Sequence, residues 1–125
     1  MDIKMPTQTP PTAIPMSAFQ LSDDLIFLSG QLAFNAEGQI EGDITAQTTQ
    51  CLQNIQAILR AQGLDMSDII KSTVWLTQKS DFAAYNNAYR SFFGEGPYPA
   101  RSTVVSELVL EGARIEIEVI ARRHA

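Results

Sequence analysis

Two short runs near the C-terminal end carry the residues best suited to chemistry. Pro99-Ala100-Arg101-Ser102-Thr103-Val104 places one arginine inside a strand-like apolar stretch. Fifteen residues after Arg101, Glu116 sits in Arg114-Ile115-Glu116-Ile117-Glu118-Val119-Ile120, which alternates in the same in-out manner. A guanidinium keeps its charge at any ordinary pH and offers a planar fork of donors; a carboxylate can give and take a proton. Held on rigid strands, the pair suits gripping a small carboxylate and moving a proton beside it. The same two residues would also serve as a plain salt bridge between neighbouring strands, and the two runs alone do not separate these uses. Glu118 shares the parity of Glu116 and reads as a solvated or salt-bridged neighbour.

The other reactive side chains are few. One cysteine, Cys51, forbids an internal disulfide, and its place in a helical apolar pattern reads as core. With one His and one Cys, a zinc site or a Cys-His nucleophile within one subunit is excluded. The net charge of −5 and absence of a basic patch argue against nucleic acid or an anionic membrane as partner. Arg122-Arg123-His124 is a short basic cluster that reads as a solvated tail. No long apolar run and no signal-peptide layout appear, so a cytoplasmic location is expected.

The elements that must position these residues follow from patterning. The chain has 125 residues, enough for one domain with a real core; 45% are apolar and 18% charged. Residues 1–15 contain Pro6, Pro10, Pro11 and Pro15 without a period and read as an extended arm. Ala18-Phe19-Gln20-Leu21 and the run from Leu25 to Gln31 flank a turn at Ser22-Asp23-Asp24, which predicts a β-hairpin. Asn35-Ala36-Glu37-Gly38 is a second turn. Asp43 stands where an N-cap belongs, Thr48, Cys51, Leu52, Ile55, Ile58 and Leu59 recur at helical spacing, and Gly63 supplies the stop. Ile70 to Leu76 predicts a strand with Ser72, Val74 and Leu76 on one side and Thr73 and Trp75 on the other. Ser80 is placed to cap a second helix whose stripe of Phe82, Tyr85, Tyr89, Phe92 and Phe93 reads as core; Gly94-Glu95-Gly96-Pro97 ends it.

The order β-β-α-β-α-β-β predicts an α+β domain: a single mixed sheet with two helices on one face. Ile115, Ile117 and Val119 alternate with Glu116, Glu118 and Ile120, and Val104, Leu108 and Leu110 also need cover. A sheet apolar on both faces finds its second layer in another subunit, so an oligomer is expected.

From about Ala13 to Arg123 the chain resembles the RidA/YjgF family of reactive enamine/imine intermediate deaminases. The resemblance rests on Leu28-Ser29-Gly30-Gln31, Gly42-Asp43-Ile44 with Gln47-Thr48, and Lys71 to Leu76. It continues through Asp81 to Asn86, Tyr89 with Phe92-Phe93, Pro99-Ala100-Arg101-Ser102 and Ile115-Glu116-Ile117-Glu118. It implies a single RidA-like domain over residues 1–125 with a chorismate-mutase-like fold. The family forms homotrimers whose sheets pack into a central barrel, with ligand clefts between subunits. The implied task is hydrolysis of enamines and imines such as 2-aminoacrylate to 2-keto acids and ammonia, with no cofactor and no metal. Position by position, it implies that Arg101 grips the substrate carboxylate, Glu116 positions water and shuttles a proton, and Ser29 and Asn86 border the cleft.

Two positions depart from the family pattern. Where the best-defined deaminases carry Gly-Pro-Tyr-Ser-Gln, this chain has Ile14-Pro15-Met16-Ser17-Ala18, so Met16 replaces a pocket-closing tyrosine. After Arg101-Ser102 the family often has cysteine, and here it is Thr103, a change to the pocket wall. These changes point to a divergent member acting on a larger or different substrate. They also leave open a non-catalytic trimer that binds or senses a small carboxylate or keto acid. RNA cleavage, a label also attached to the family, is disfavoured by the acidic balance.

Overall fold

The computed structural model describes residues 14–123. Pro6, Pro10, Pro11 and His124 lie outside them. Two antiparallel strands open the fold, β1 at Phe19–Ser22 and β2 at Leu25–Leu28, joined through a turn in which Asp23 takes φ 53. Helix α1 spans Ile44–Ala61. It begins where the sequence places the cap: the Asp43 side chain accepts a hydrogen bond from the Ala46 N–H at 2.9 Å. It ends in a left-handed residue at Gly63, φ 79, where Gly63 N–H donates to Arg60 O and Leu64 N–H to Leu59 O. A single 3₁₀ turn at Met66–Asp68 leads into β3, Ile69–Leu76. Helix α2 covers Phe82–Arg90, β4 Ala100–Val105, and β5 Ile115–Arg122.

The strands form one sheet in the order β1-β2-β5-β3-β4, antiparallel except for the parallel pair β3–β4. A parallel pair needs a crossover, and α2 supplies it. Both helices lie on one face. Leu52, Ile55 and Leu59 of α1 and Tyr85 and Tyr89 of α2 bury Ile26, Leu28, Val74, Leu76, Ile115, Ile117, Val119 and Ala121. The expected alternation on β3 holds: Ser72, Val74 and Leu76 are buried, Thr73 and Trp75 half-buried on the other side. That other face carries Phe27, Trp75, Ile120 and Val104, with nothing packed over it among the described residues.

One expectation fails. Ser80 does not cap α2: it belongs to a 3₁₀ turn at Lys79–Asp81, and its hydroxyl donates to Gln78 Oε1. The residue before the helix is Asp81, and its carboxylate is drawn away to Arg114 in a two-point ion pair of 2.6 and 3.2 Å. A buried carboxylate needs a charged partner more than a helix end needs a cap. The closing strands also bear on the two uses left open for Arg101 and Glu116. β4 and β5 are not neighbours, because β3 runs between them, so no adjacent-strand salt bridge joins the pair.

Candidate functional site

Arg101 sits at the second position of β4, in register with Ser72 of β3, and turns toward the helices. Its guanidinium lies 4.9 Å from the Tyr85 ring centre, 5.0 Å from that of Tyr89 and 6.0 Å from that of Phe82. A planar cation stacked on ring faces gains from their negative quadrupole and keeps its edge donors free. The rings are themselves fixed. The Tyr85 hydroxyl shares a hydrogen bond with Thr103 Oγ1 at 3.0 Å, and the Tyr89 hydroxyl one with Ser72 Oγ at 2.8 Å. Burial pushes both phenols above their ordinary pKa, against the smaller downward pull of these hydrogen bonds and of Arg101, so they stay neutral. An open cavity of about 390 Å³ lies beside Arg101, bordered by Asn86, Tyr89, Arg90, Tyr98 and Pro99. Asn86 Oδ1 is buried there without a hydrogen-bond partner.

Glu116 stands on the other side of the sheet. Its register partner on β3 is Trp75, and it shares the helix-free face with Glu118, which pairs with Thr73. Its carboxylate rests directly against the Cα of Gly30, where any side chain would collide with it. Glycine here lets the carboxylate, the far end of a flexible side chain, keep this position; a Cβ would displace it. The segment carrying it is held from behind: the Cys51 thiol donates to Gln31 O, Asn54 Nδ2 donates to Leu32 O and Phe34 O, and Gln31 and Ile117 exchange backbone hydrogen bonds of 2.7 and 3.0 Å. Burial raises the Glu116 pKa, and the nearby negative charge of Glu118 raises it further. Burial also pushes the Cys51 thiol up to about 12, which makes it an inert core residue as its spacing predicts. A shallow cavity of about 180 Å³ borders Glu116, Trp75 and residues 106–109.

Ser29 directly follows β2 on the Glu116 side. Its hydroxyl donates to Ser17 O at 2.6 Å, and it lines a cavity of about 420 Å³ with Phe27, Glu118 and Ile120. Thr103 belongs to the Arg101 side but reaches it through Tyr85. Met16 is exposed and borders none of these three cavities, while its neighbour Ser17 does. The residues singled out in the sequence thus separate into two groups. Arg101, Asn86 and Thr103 gather on the helix-covered side; Glu116, Glu118 and Ser29 gather on the open side. Arg101 and Glu116 are two strands apart sideways and three residues apart lengthwise, about 14 Å between backbones, and face opposite ways. One chain does not bring them together.

Tyr85 and Tyr89 are the site residues that sequence reasoning assigned to the core alone. Both are core, and both also seat Arg101. Their spacing of four marks a shared helix face, but nothing local says that β4 returns beneath that face. Among the described residues no group of three His, Cys, Asp or Glu side chains is arranged to hold a metal ion, and no helix is long and apolar enough to cross a membrane.

Residues 7–123 match the family described as Endoribonuclease L-PSP. The chain is 41% identical over 103 residues to the 2-iminobutanoate/2-iminopropanoate deaminase of Escherichia coli K12, covering 80% of each sequence. The crystal structure of the E. coli YjgF gene product superposes with a TM-score of 0.85 at 37% identity, covering 98% of this chain and 100% of that one. That of E. coli TdcF with bound serine does so with a TM-score of 0.85 at 35% identity, over 97% and 99% of the two chains. With its single mixed sheet and two helices matching these neighbours, the chain belongs to the RidA/YjgF family.

Proposed function

We propose that this protein hydrolyses enamines and imines of 2-keto acids, of the 2-aminoacrylate type, in a cleft built by two copies of the chain within a homotrimer. The observation that carries the proposal is the split just described: Arg101 and Glu116 occupy opposite faces of one sheet. A second copy packed on the open face is the simplest way to put one subunit's Arg101 beside another's Glu116. The exposed Phe27 and Val104 and half-buried Trp75 and Ile120 give that face the apolar surface an interface needs. The imine deaminase of E. coli, similar over most of its length, supports the reaction class.

The chemistry asks little of the protein. Arg101 takes the substrate carboxylate in two parallel charge-assisted hydrogen bonds and offsets its charge. Glu116 of the neighbouring copy accepts a hydrogen bond from water, takes its proton as the oxygen adds to the imine carbon, and passes the proton to nitrogen. Glu116 then takes the remaining proton from the added hydroxyl and passes it to the amino nitrogen, the carbonyl forms, the C–N bond breaks and ammonia leaves. A raised pKa suits Glu116 to both halves of this relay, and no activated nucleophile is needed.

A mixing experiment tests the reading. Arg101→Ala and Glu116→Gln each remove one half-site, so each pure variant should be inactive on freshly generated 2-aminoacrylate. Unfolded together and reassembled, they should recover activity in about a quarter of sites, since random mixing pairs intact Arg101 with intact Glu116 that often. No recovery would place both residues' work within one chain or deny it altogether. Binding of a 2-keto acid without turnover by the parent protein would leave a carboxylate-binding role.

A further inference from the structure

The cavity beside Arg101 holds a second cation. Asn86 and Arg90 are four residues apart on α2, so they stand on one helix face a turn apart, about 6 Å along the axis, and both border the cavity with Arg101. No carboxylate lines this cavity, although the chain as a whole carries a net charge of −5. Arg101 is held by its aromatic seat. Arg90 is exposed and gives one donor, Nη1, to Asn87 Oδ1 at 2.9 Å, which leaves most of its guanidinium free. Asn86 borders the cavity with both cations, although its Oδ1 is sealed from solvent. Two guanidinium groups and no carboxylate suit the cavity to a ligand that carries two anionic groups. Its roughly 390 Å³ exceeds what a three-carbon acid fills.

We propose that Arg90 holds a second carboxylate, so that the protein prefers imines of 2-oxo dicarboxylic acids of four or five carbons over those of neutral side chain. The inference rests on Arg101 being the carboxylate-binding residue of the deaminase reading. The carboxylate next to the imine lies on Arg101 and the distal carboxylate reaches Arg90. Hydrolysis is unchanged: water adds to the imine carbon, the C–N bond breaks, and the 2-oxo diacid and ammonia leave.

Calorimetric titration with 2-oxoglutarate and with 2-oxobutanoate tests this without requiring turnover. The intact protein should bind 2-oxoglutarate about three- to tenfold more tightly, the range expected for a partly exposed charge pair. Arg90→Gln should bring the two affinities close to equal, and Arg90→Glu should reverse the order. Arg90 is exposed at the C-terminal end of α2, so both variants should keep the parent's melting behaviour. Equal affinities in the parent, or a preference that survives Arg90→Gln, would overturn the proposal; so would an equal loss of both ligands. Keto acid release from 2-iminobutanoate is measured in parallel. Its absence removes the deaminase reading, while the affinity ratio still decides whether the cavity takes a diacid.

Discussion

On one face of the sheet, Ile115, Ile117, Val119 and Ala121 of β5 are sealed beneath two helices; on the other, Glu116, Glu118, Ile120 and Arg122 of the same strand stand uncovered. The covered face is finished within one chain. Two hydroxyl pairs tie the sheet to α2, Ser72 with Tyr89 and Thr103 with Tyr85, and the rings that make them set Arg101. The open face is chemically prepared but unfinished: a carboxylate with a raised pKa, pressed against Gly30 beside a second carboxylate, with half-buried apolar neighbours. The contrast teaches that folding alone seats the Arg101 guanidinium, whereas the Glu116 carboxylate stays on a face that the proposed assembly would complete.

Separating the two faces by function gives the largest expected effect. Glu116→Gln keeps size and hydrogen bonding but ends the proton relay, so turnover should fall by about 10²–10⁴-fold with 2-keto acid affinity nearly unchanged. Arg101→Ala should do the reverse to binding, weakening it by about 1.5–3 kcal/mol, and Arg101→Lys should rescue poorly because a point charge lacks the fork. Stopped assays with calorimetry read both quantities; a Glu116→Gln protein that turns over normally assigns the glutamate to structure.

Neighbouring isoleucines on β5 sharpen the contrast next. Ile117→Ala opens a cavity in the covered core and should cost about 2–5 kcal/mol in denaturant unfolding. Ile120→Asp leaves that core alone and charges the open face, so sedimentation should shift from trimer toward monomer while secondary structure persists. A protein that stays assembled with Asp at 120 does not use this face as its interface.

The smallest effect concerns pH. Glu118 is the lesser cause of the raised Glu116 pKa, after burial. Glu118→Gln should therefore move the acid limb of the pH–rate profile modestly downward, since Glu116 then ionises at lower pH. The stability sign follows from linkage. A carboxyl whose pKa is raised on folding favours the fold below its unfolded pKa and loses that contribution as pH rises through the folded one. Glu116→Gln should thus match the parent in acid and equal or exceed its stability above the carboxylate range. An acid limb unmoved by Glu118→Gln would show that burial alone tunes Glu116.

Much of the fold was legible because its signals are local. Asp43, Gly63 and the spacing from Thr48 to Leu59 mark α1 from end to end, and the alternation around Ser72 and Trp75 assigns the faces of β3. Ser80 misled because a cap is read from type and position, whereas Asp81 answers to Arg114, thirty-three residues away. The site was legible as a set of residues but not as an arrangement. Parity within a strand is a sequence property; strand order and register are not. The insertion of β3 between β4 and β5 parts Arg101 from Glu116 sideways, and their registers with Ser72 and Trp75, three residues apart on β3, put them on opposite faces. Met16, singled out as a departure, is exposed and borders none of the three cavities that a single chain forms at these residues, while its neighbour Ser17 borders one.

The parallel pairing of β3 with β4 has a bearing on how such a protein changes over time. Arg101 is located by its register with Ser72 and by the rings of α2, all inside regular structure. Tyr98 and Pro99, which border the same cavity, belong to the stretch 91–99 that only connects α2 to β4. Connecting loops accept substitution and changes of length far more readily than strands do. Successive variants can therefore reshape one wall of the cavity while Arg101 stays put; on the proposed reading, a lineage can drift from one imino acid to another without passing through a form that binds none.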